Sequence, residues 1–157
     1  MADYGKPVVF KLGDLSYGID IRKVKSIEVQ VNIQSVPNVA PFIKGIINLR
    51  EEVIPVYDIK QKFNLSDLTT TGAAALIVEV HGKEIAFPVD VVEEIREISD
   101  SEIREMPAII RKEGVEYLDR VANMDGKLIV LLDVEQMITK EEIGKYNEFT
   151  EEYSKED

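Results

Sequence analysis

The chain carries one pattern twice, and that duplication constrains its fold more than any other feature. Tyr17–Ile27 lies without gaps over Ile85–Ile95 at an offset of 68, with Val24 matching Val92 and Ile27 matching Ile95. Ile43–Phe63 lies over Leu118–Ile138 at an offset of 75, and ten positions of that window are apolar in both copies. Asn48/Asn123, Ile54/Ile129, Asp58/Asp133 and Gln61/Gln136 are identical, and Pro37 and Pro107 correspond between the windows. A shared order of apolar and punctuation residues marks a tandem duplication. The 157 residues then divide into copies at 7–72 and 73–138 and a tail at 139–154, within one domain, 1–157.

Local patterns within each copy predict strands. Val8–Leu12 and Ser16–Ile19 flank Gly13-Asp14, Ala74–Val80 and Lys83–Phe87 flank His81-Gly82, and Val121–Met124 and Lys127–Leu132 flank Asp125-Gly126. Gly at such turns supplies the positive φ that a tight hairpin needs. The first copy has Arg50-Glu51 where the second has Asp125-Gly126. Without Gly, that turn must differ in geometry or be strained. Ile21, Val24 and Ile27, like Val89, Val92 and Ile95, have a spacing that suits either one helical turn or a bulged strand. Leu65–Gly72 reads as a linker, and Val36–Phe42 and Met106–Tyr117 as irregular crossings.

Asp58-x-x-Gln61 and Asp133-x-x-Gln136 each follow an apolar strand, the arrangement of a capped short helix in which Gln reaches back to the cap. Capping explains both partners; a catalytic carboxylate is the rival reading. Thr139-x-x-Glu142 is a capping box, and Ile143, Tyr146, Phe149 and Tyr153 follow at helical spacing. Short strands in two copies and one terminal helix predict an all-β chain with paired small barrels, the first β-barrel subdomain at 7–72, the second at 73–138 and an amphipathic helix at 139–154. Barrels of that size are filled by side chains, so ligands meet outer faces or the groove between barrels.

Composition removes most kinds of chemistry. The chain has no Cys and one His, which excludes disulfides, thiolate nucleophiles and clustered Cys or His metal sites. No cofactor or metal is expected. Residues 1–72 carry nine Lys/Arg against eight Asp/Glu, and residues 73–157 carry ten against twenty-two, so the net charge of −11 belongs to the second half. Such a surface repels nucleic acid and anionic membranes. No apolar run spans a bilayer, and Met1–Phe10 lacks a signal-peptide core. His81 reads as a solvated turn residue, and Glu93-Glu94, Glu141-Glu142 and Glu151-Glu152 as solvated faces. Arg50 stands at a turn where no core requires it, and Arg is favoured at interface centres.

Phe10-Lys11-Leu12-Gly13-Asp14, Tyr17-Gly18-Ile19-Asp20-Ile21, Val24, then Pro41-Phe42-Ile43-Lys44-Gly45-Ile46-Ile47-Asn48-Leu49-Arg50 and Val53-Ile54-Pro55-Val56-Tyr57-Asp58 closely resemble the CheW family of bacterial chemotaxis coupling proteins. The resemblance covers roughly 7–140. It implies two interlocked five-stranded SH3-like β-barrels and a C-terminal amphipathic helix. It implies no catalysis and no cofactor. The expected role is a scaffold in signal transduction, an adaptor joining the cytoplasmic tip of methyl-accepting chemoreceptors to the regulatory domain of the histidine kinase CheA. The alternative is a CheW-like adaptor of a non-chemotaxis two-component array. By matching position, Ile21, Val24 and Ile27 contribute to an apolar receptor groove between the barrels, and Asn48 and Arg50 lie near the functional surface. The implied protein is cytoplasmic, associated with receptor arrays at the inner face of the membrane, not inserted in it, and monomeric in isolation. The sequence departs from the family in two places: Glu51 stands where Gly is usual, and Ser26 where Glu is frequent. Glu51 beside Arg50 is a candidate ion-pair partner.

Overall fold

The predicted hairpins set the frame. The computed structural model describes residues 6–36, 42–63, 65, 74–105 and 118–155, without the side chains of 118, 119, 147 and 149–155. β1 (Pro7–Leu12) and β2 (Leu15–Asp20) form the first hairpin, and β3 (Val24–Glu28) and the two-residue β4 (Gln34–Ser35) follow. β5 (Ile43–Leu49) and β6 (Glu52–Tyr57) form the second hairpin, which leads into the short helix α1 (Ile59–Lys62). The second copy runs in the same order. β7 (Ala74–Val80) and β8 (Lys83–Val89) pair, then come β9 (Val91–Ile95), β10 (Ile103–Glu105), β11 (Leu118–Met124), β12 (Lys127–Leu132), α2 (Val134–Met137) and α3 (Lys140–Lys155).

The strands make two six-stranded sheets, ordered β10-β11-β12-β2-β1-β9 and β3-β7-β8-β6-β5-β4. Each copy lends its first hairpin to the sheet that holds the rest of the other copy, joined by the parallel pairs β12 with β2 and β6 with β8. The copies at 7–72 and 73–138 are units of sequence, and the sheets are built across them. The fold is all-β with a C-terminal helix. Each sheet has five strands of five or more residues and one of two or three.

Chain connectivity makes the β3-to-β4 sheet curl. β3 and β4 are opposite edges of one sheet, yet only residues 29–33 join them. That segment reaches at most about 20 Å, whereas the edges of a flat six-stranded sheet lie about 24 Å apart. Inside the curl pack Ile47, Ile54, Val56, Ile77 and Ala86, with Val31, Ile33 and Leu49 at the margin. Val9, Ile98, Ala122, Met124, Ile129 and Leu131 fill the other barrel. Burying each larger aliphatic contributes roughly 1.5–3 kcal/mol. Gly18 belongs to that interior: a Cβ there would stand 3.0 Å from Pro7 Cβ and 3.1 Å from Leu131 Cδ2.

The largest core lies between the barrels. Alternation sends Val8, Phe10, Leu12, Tyr17, Leu76, Val78, Ile85 and Phe87 there, joined by Tyr57, Leu132 and Tyr146. Strands with one face in a barrel and the other in this core are buried on both sides, which explains their continuous apolar runs. α3 closes it with Ile143 and Tyr146; the predicted stripe residues Phe149 and Tyr153 lie outside the described side chains. The Thr139 box caps α3, with Glu142 N–H donating to Thr139 Oγ1 and Thr139 N–H to Glu142 Oε1, each at 3.1 Å.

Asp58 and Asp133 are N-caps of α1 and α2, as their spacing predicts. One detail differs: the Gln136 amide nitrogen donates to the Asp133 carboxylate at 3.0 Å, where a capping box has the Gln oxygen accept from the cap's backbone N–H. Two solvated-surface expectations are corrected. His81 is half-buried, with Nε2 2.8 Å from the Ile138 carbonyl and 3.1 Å from that of Glu135, because its turn docks on the C-terminal carbonyls of α2. Glu93 accepts from Ser16 Oγ at 2.8 Å and Lys127 Nζ at 2.9 Å. Burial pushes its pKa up, but those two donors outweigh it and hold the carboxyl below 4.5. The expected linker and the two crossings lie largely outside the described residues.

Candidate functional site

The candidate residues occupy two places. Asp20 accepts from Arg22 N–H and caps a single 3-10 turn, Ile21–Lys23, which runs straight into β3. The spacing that suits a helical turn or a bulged strand therefore reflects both: β3 pairs with β7 through a bulge between Val24 and Ser26. Ile21, Val24 and Ile27 are each half-buried and pack on the margin of the inter-barrel core. They are neither sealed in the interior nor fully open. Their copies diverge, since Val89 is buried, Val92 half-buried and Ile95 50% exposed.

Asn48 lies in β5 and Arg50 at the tip of the β5–β6 hairpin, which meets β3 at its last residue, Glu28. Arg50 and Glu51 adopt φ of +52° and +71°, matching Asp125 and Gly126 at +58° and +88°. The first copy thus keeps the hairpin geometry of the second and holds Glu51 in the left-handed region at a cost of about 1 kcal/mol. Arg50 Nη2 reaches Glu28 Oε2, at the end of β3, at 3.3 Å; that pairing, rather than one with Glu51, is the ion pair the structure makes. The Arg50 side chain stays 72% exposed, and Glu28 is mostly covered, at 20%. A single contact at such exposure contributes less than about 1 kcal/mol and leaves the guanidinium available to another carboxylate.

The second copy repeats this clasp with the signs reversed. Arg96 lies 68 positions after Glu28, Asp125 lies 75 after Arg50, and their side chains meet at 3.7 Å. One barrel end carries a cation at its hairpin tip and the other an anion. Duplicate architecture therefore presents two chemically different ends.

Asn48 is exposed and borders a groove of about 330 Å³ whose lining includes Glu28, Gln30, Asn32 and Gln34. Sequence reasoning had not singled out those four residues. Their signal was present: Gln30, Asn32 and Gln34 alternate with Val31 and Ile33 at the period of a strand with one buried face. The Ser26 hydroxyl is buried and has no hydrogen-bond partner among the described residues. Among the described residues no group of three or more His, Asp or Glu is placed to hold a metal ion, and no helix is long and apolar enough to cross a membrane.

A family model described as a CheW-like domain matches residues 6–142. The chain belongs to that family. It is 27% identical over 143 residues to the chemotaxis protein CheW of Treponema pallidum, covering 88% of this chain and 84% of that one. It is 29% identical over 137 residues to CheW of Bacillus subtilis, covering 87% and 88%. The crystal structure of the scaffolding protein CheW of Thermoanaerobacter tengcongensis superposes with a TM-score of 0.75 at 31% identity, covering 86% and 88%.

Proposed function

We propose that this chain is a chemotaxis coupling adaptor that joins chemoreceptors to a histidine kinase through separate surfaces and catalyses nothing itself. The observation that carries the reading is the CheW-like domain over residues 6–142, on a fold shared with a solved CheW scaffold. The half-buried stripe of Ile21, Val24 and Ile27 suits the apolar face of a helix, so it takes the receptor's cytoplasmic tip. Asn48 and Arg50, at the β5–β6 hairpin, meet the regulatory domain of the kinase CheA. The protein works in the cytoplasm, at the inner face of the membrane, and is monomeric until its partners recruit it.

Co-sedimentation tests this directly. Receptor tip fragments and the kinase should each bring the wild-type chain down, and the adaptor reading fails if neither does. Arg50→Ala should fold with less than about 0.5 kcal/mol lost, because its clasp is exposed. It should nevertheless weaken kinase binding by about tenfold, the scale of losing one charge-assisted contact. An unfolded variant would mean that Arg50 is structural.

A further inference from the structure

The hairpin decides where the main-chain hydrogen bonds of β5 point. A two-residue turn makes its flanking residues, here Leu49 and Glu52, a pair that exchanges both bonds. Alternation makes Ile47 and Ile54 the next such pair and turns the N–H and C=O of Asn48 and Ile46 away from β6. Pro55 stands opposite Ile46, where no N–H toward β5 is needed, and so fits this pattern.

β4 takes up Ile46 through Gln34. The same register, continued, would set Asn32 against Asn48, but β4 contains only Gln34–Ser35. Val31 and Ile33 turn toward the barrel interior, and the two segments part. The fork has a fixed root: at Gly45 a Cβ would lie 2.2 Å from the Gln34 carbonyl oxygen, so the strands there are as close as backbone allows. Beyond the root, no strand among the described residues pairs with Asn48 on its outer side. The groove occupies that opening.

Four carboxamides, Gln30, Asn32, Gln34 and Asn48, border it. Each donates and accepts, as the outward main chain of Asn48 also does. That is the hydrogen-bonding demand of extended polypeptide. We propose that an edge strand of a β-sheet protein partner adds to β5 at Asn48, in the fork between β5 and residues 30–34. The inference rests on the adaptor reading and selects between its two partners. A helix has already spent its main-chain groups on internal bonds, so the helix-fitting stripe of Ile21, Val24 and Ile27 serves the receptor tip, and the open strand edge at Asn48 is left for the kinase. The occupant is the kinase regulatory domain.

Two variants of Asn48 and one amide test this. Asn48→Pro removes the carboxamide and the outward N–H without breaking a bond to β6, and Asn48→Ala removes the carboxamide and keeps the N–H, so the difference between the two reports the N–H. In calorimetric titrations with the kinase regulatory domain, Asn48→Pro should lose about tenfold or more in affinity and Asn48→Ala less than about threefold. Hydrogen exchange of the wild-type Asn48 amide should slow by about tenfold or more in the complex. Equal losses for both variants, wild-type affinity in Asn48→Pro, or unchanged exchange at Asn48 would overturn strand addition. If Asn48→Pro does not fold, exchange in the wild type decides alone. Kinase binding with an unprotected Asn48 amide refutes only the strand, whereas a wild type that fails to bind removes the adaptor reading and this inference together.

Discussion

Exchanging residues between the duplicate hairpins isolates the strain at Glu51. Its φ of +71° lies in the left-handed region, where an L side chain costs about 1–2 kcal/mol relative to the right-handed one. Glycine removes that cost but gains unfolded-state freedom worth about 0.5–1 kcal/mol. The net for Glu51→Gly is a stabilisation of about 0.5–1 kcal/mol, which raises Tm by about 1–4 °C in a chain of this size. Gly126 occupies the matching position at +88°, and a Cβ there meets nothing within 4 Å. Gly126→Glu should therefore lose about 1 kcal/mol through backbone conformation alone, with no clash to add. Glu51→Gln separates charge from strain and should stay within about 0.3 kcal/mol of wild type. Urea unfolding followed by circular dichroism measures all three, and m should not change, because the exposed surface is the same. Refutation is simple to recognise. If Glu51→Gly matches Glu51→Gln, or if the two reciprocal changes move stability in one direction, the turn is not strained as reasoned.

Three further outcomes follow from individual contacts. Lys60 Nζ, 5% exposed, lies 2.8 Å from Asp90 Oδ1, and Asp90 Oδ2 accepts from Gly13 N–H at 2.7 Å. Asp90→Ala should cost about 3 kcal/mol or more by stranding a buried ammonium, and adding Lys60→Met should recover most of it in the same urea assay. Gly45→Ala should cost about 1–3 kcal/mol and free β4, seen as lost exchange protection at Gln34, because the added Cβ would meet backbone rather than a yielding side chain. The hydrogen bond from Lys23, chiefly, lowers the Glu135 pKa below 4.5 against the opposing effect of burial. A depressed folded-state pKa stabilises above the unfolded value and is lost as pH falls, so stability should decline below about pH 4.5. Glu135→Gln should flatten that acid limb in pH-dependent thermal scans.

Much of the fold was legible because its signals are local. Hairpin turns, caps and the Thr139 box each depend on a few adjacent residues, and all were found where the spacing put them. His81 and Glu93 were misread for the converse reason. Each is polar and stands beside a turn or another acid, yet its partners come from 54 and 77 positions away, at Glu135 and Ser16. The candidate site was legible in part. Arg50 was singled out from its place at a turn, where the structure also has it, but Glu28, its counter-ion, comes from another strand and carried no local sign of the pairing. The polar alternation of residues 30–34 was visible in the letters, and only the divergence of β4 from β5 gave it meaning.

By itself the sequence determined the duplication, the strands and caps of each copy, the family resemblance and the exclusion of Cys and clustered His chemistry. Those are properties of composition and of spacing along one chain. Tertiary structure decided which hairpin joins which sheet, which face of β3 borders the core, and that the duplicated clasp runs Glu28 to Arg50 in one barrel and Arg96 to Asp125 in the other. The physical reason is that a strand's own pattern specifies its two faces but not its neighbours. Pairing depends on edges and packed surfaces contributed by segments far apart in the chain, and these meet only once the whole core is assembled.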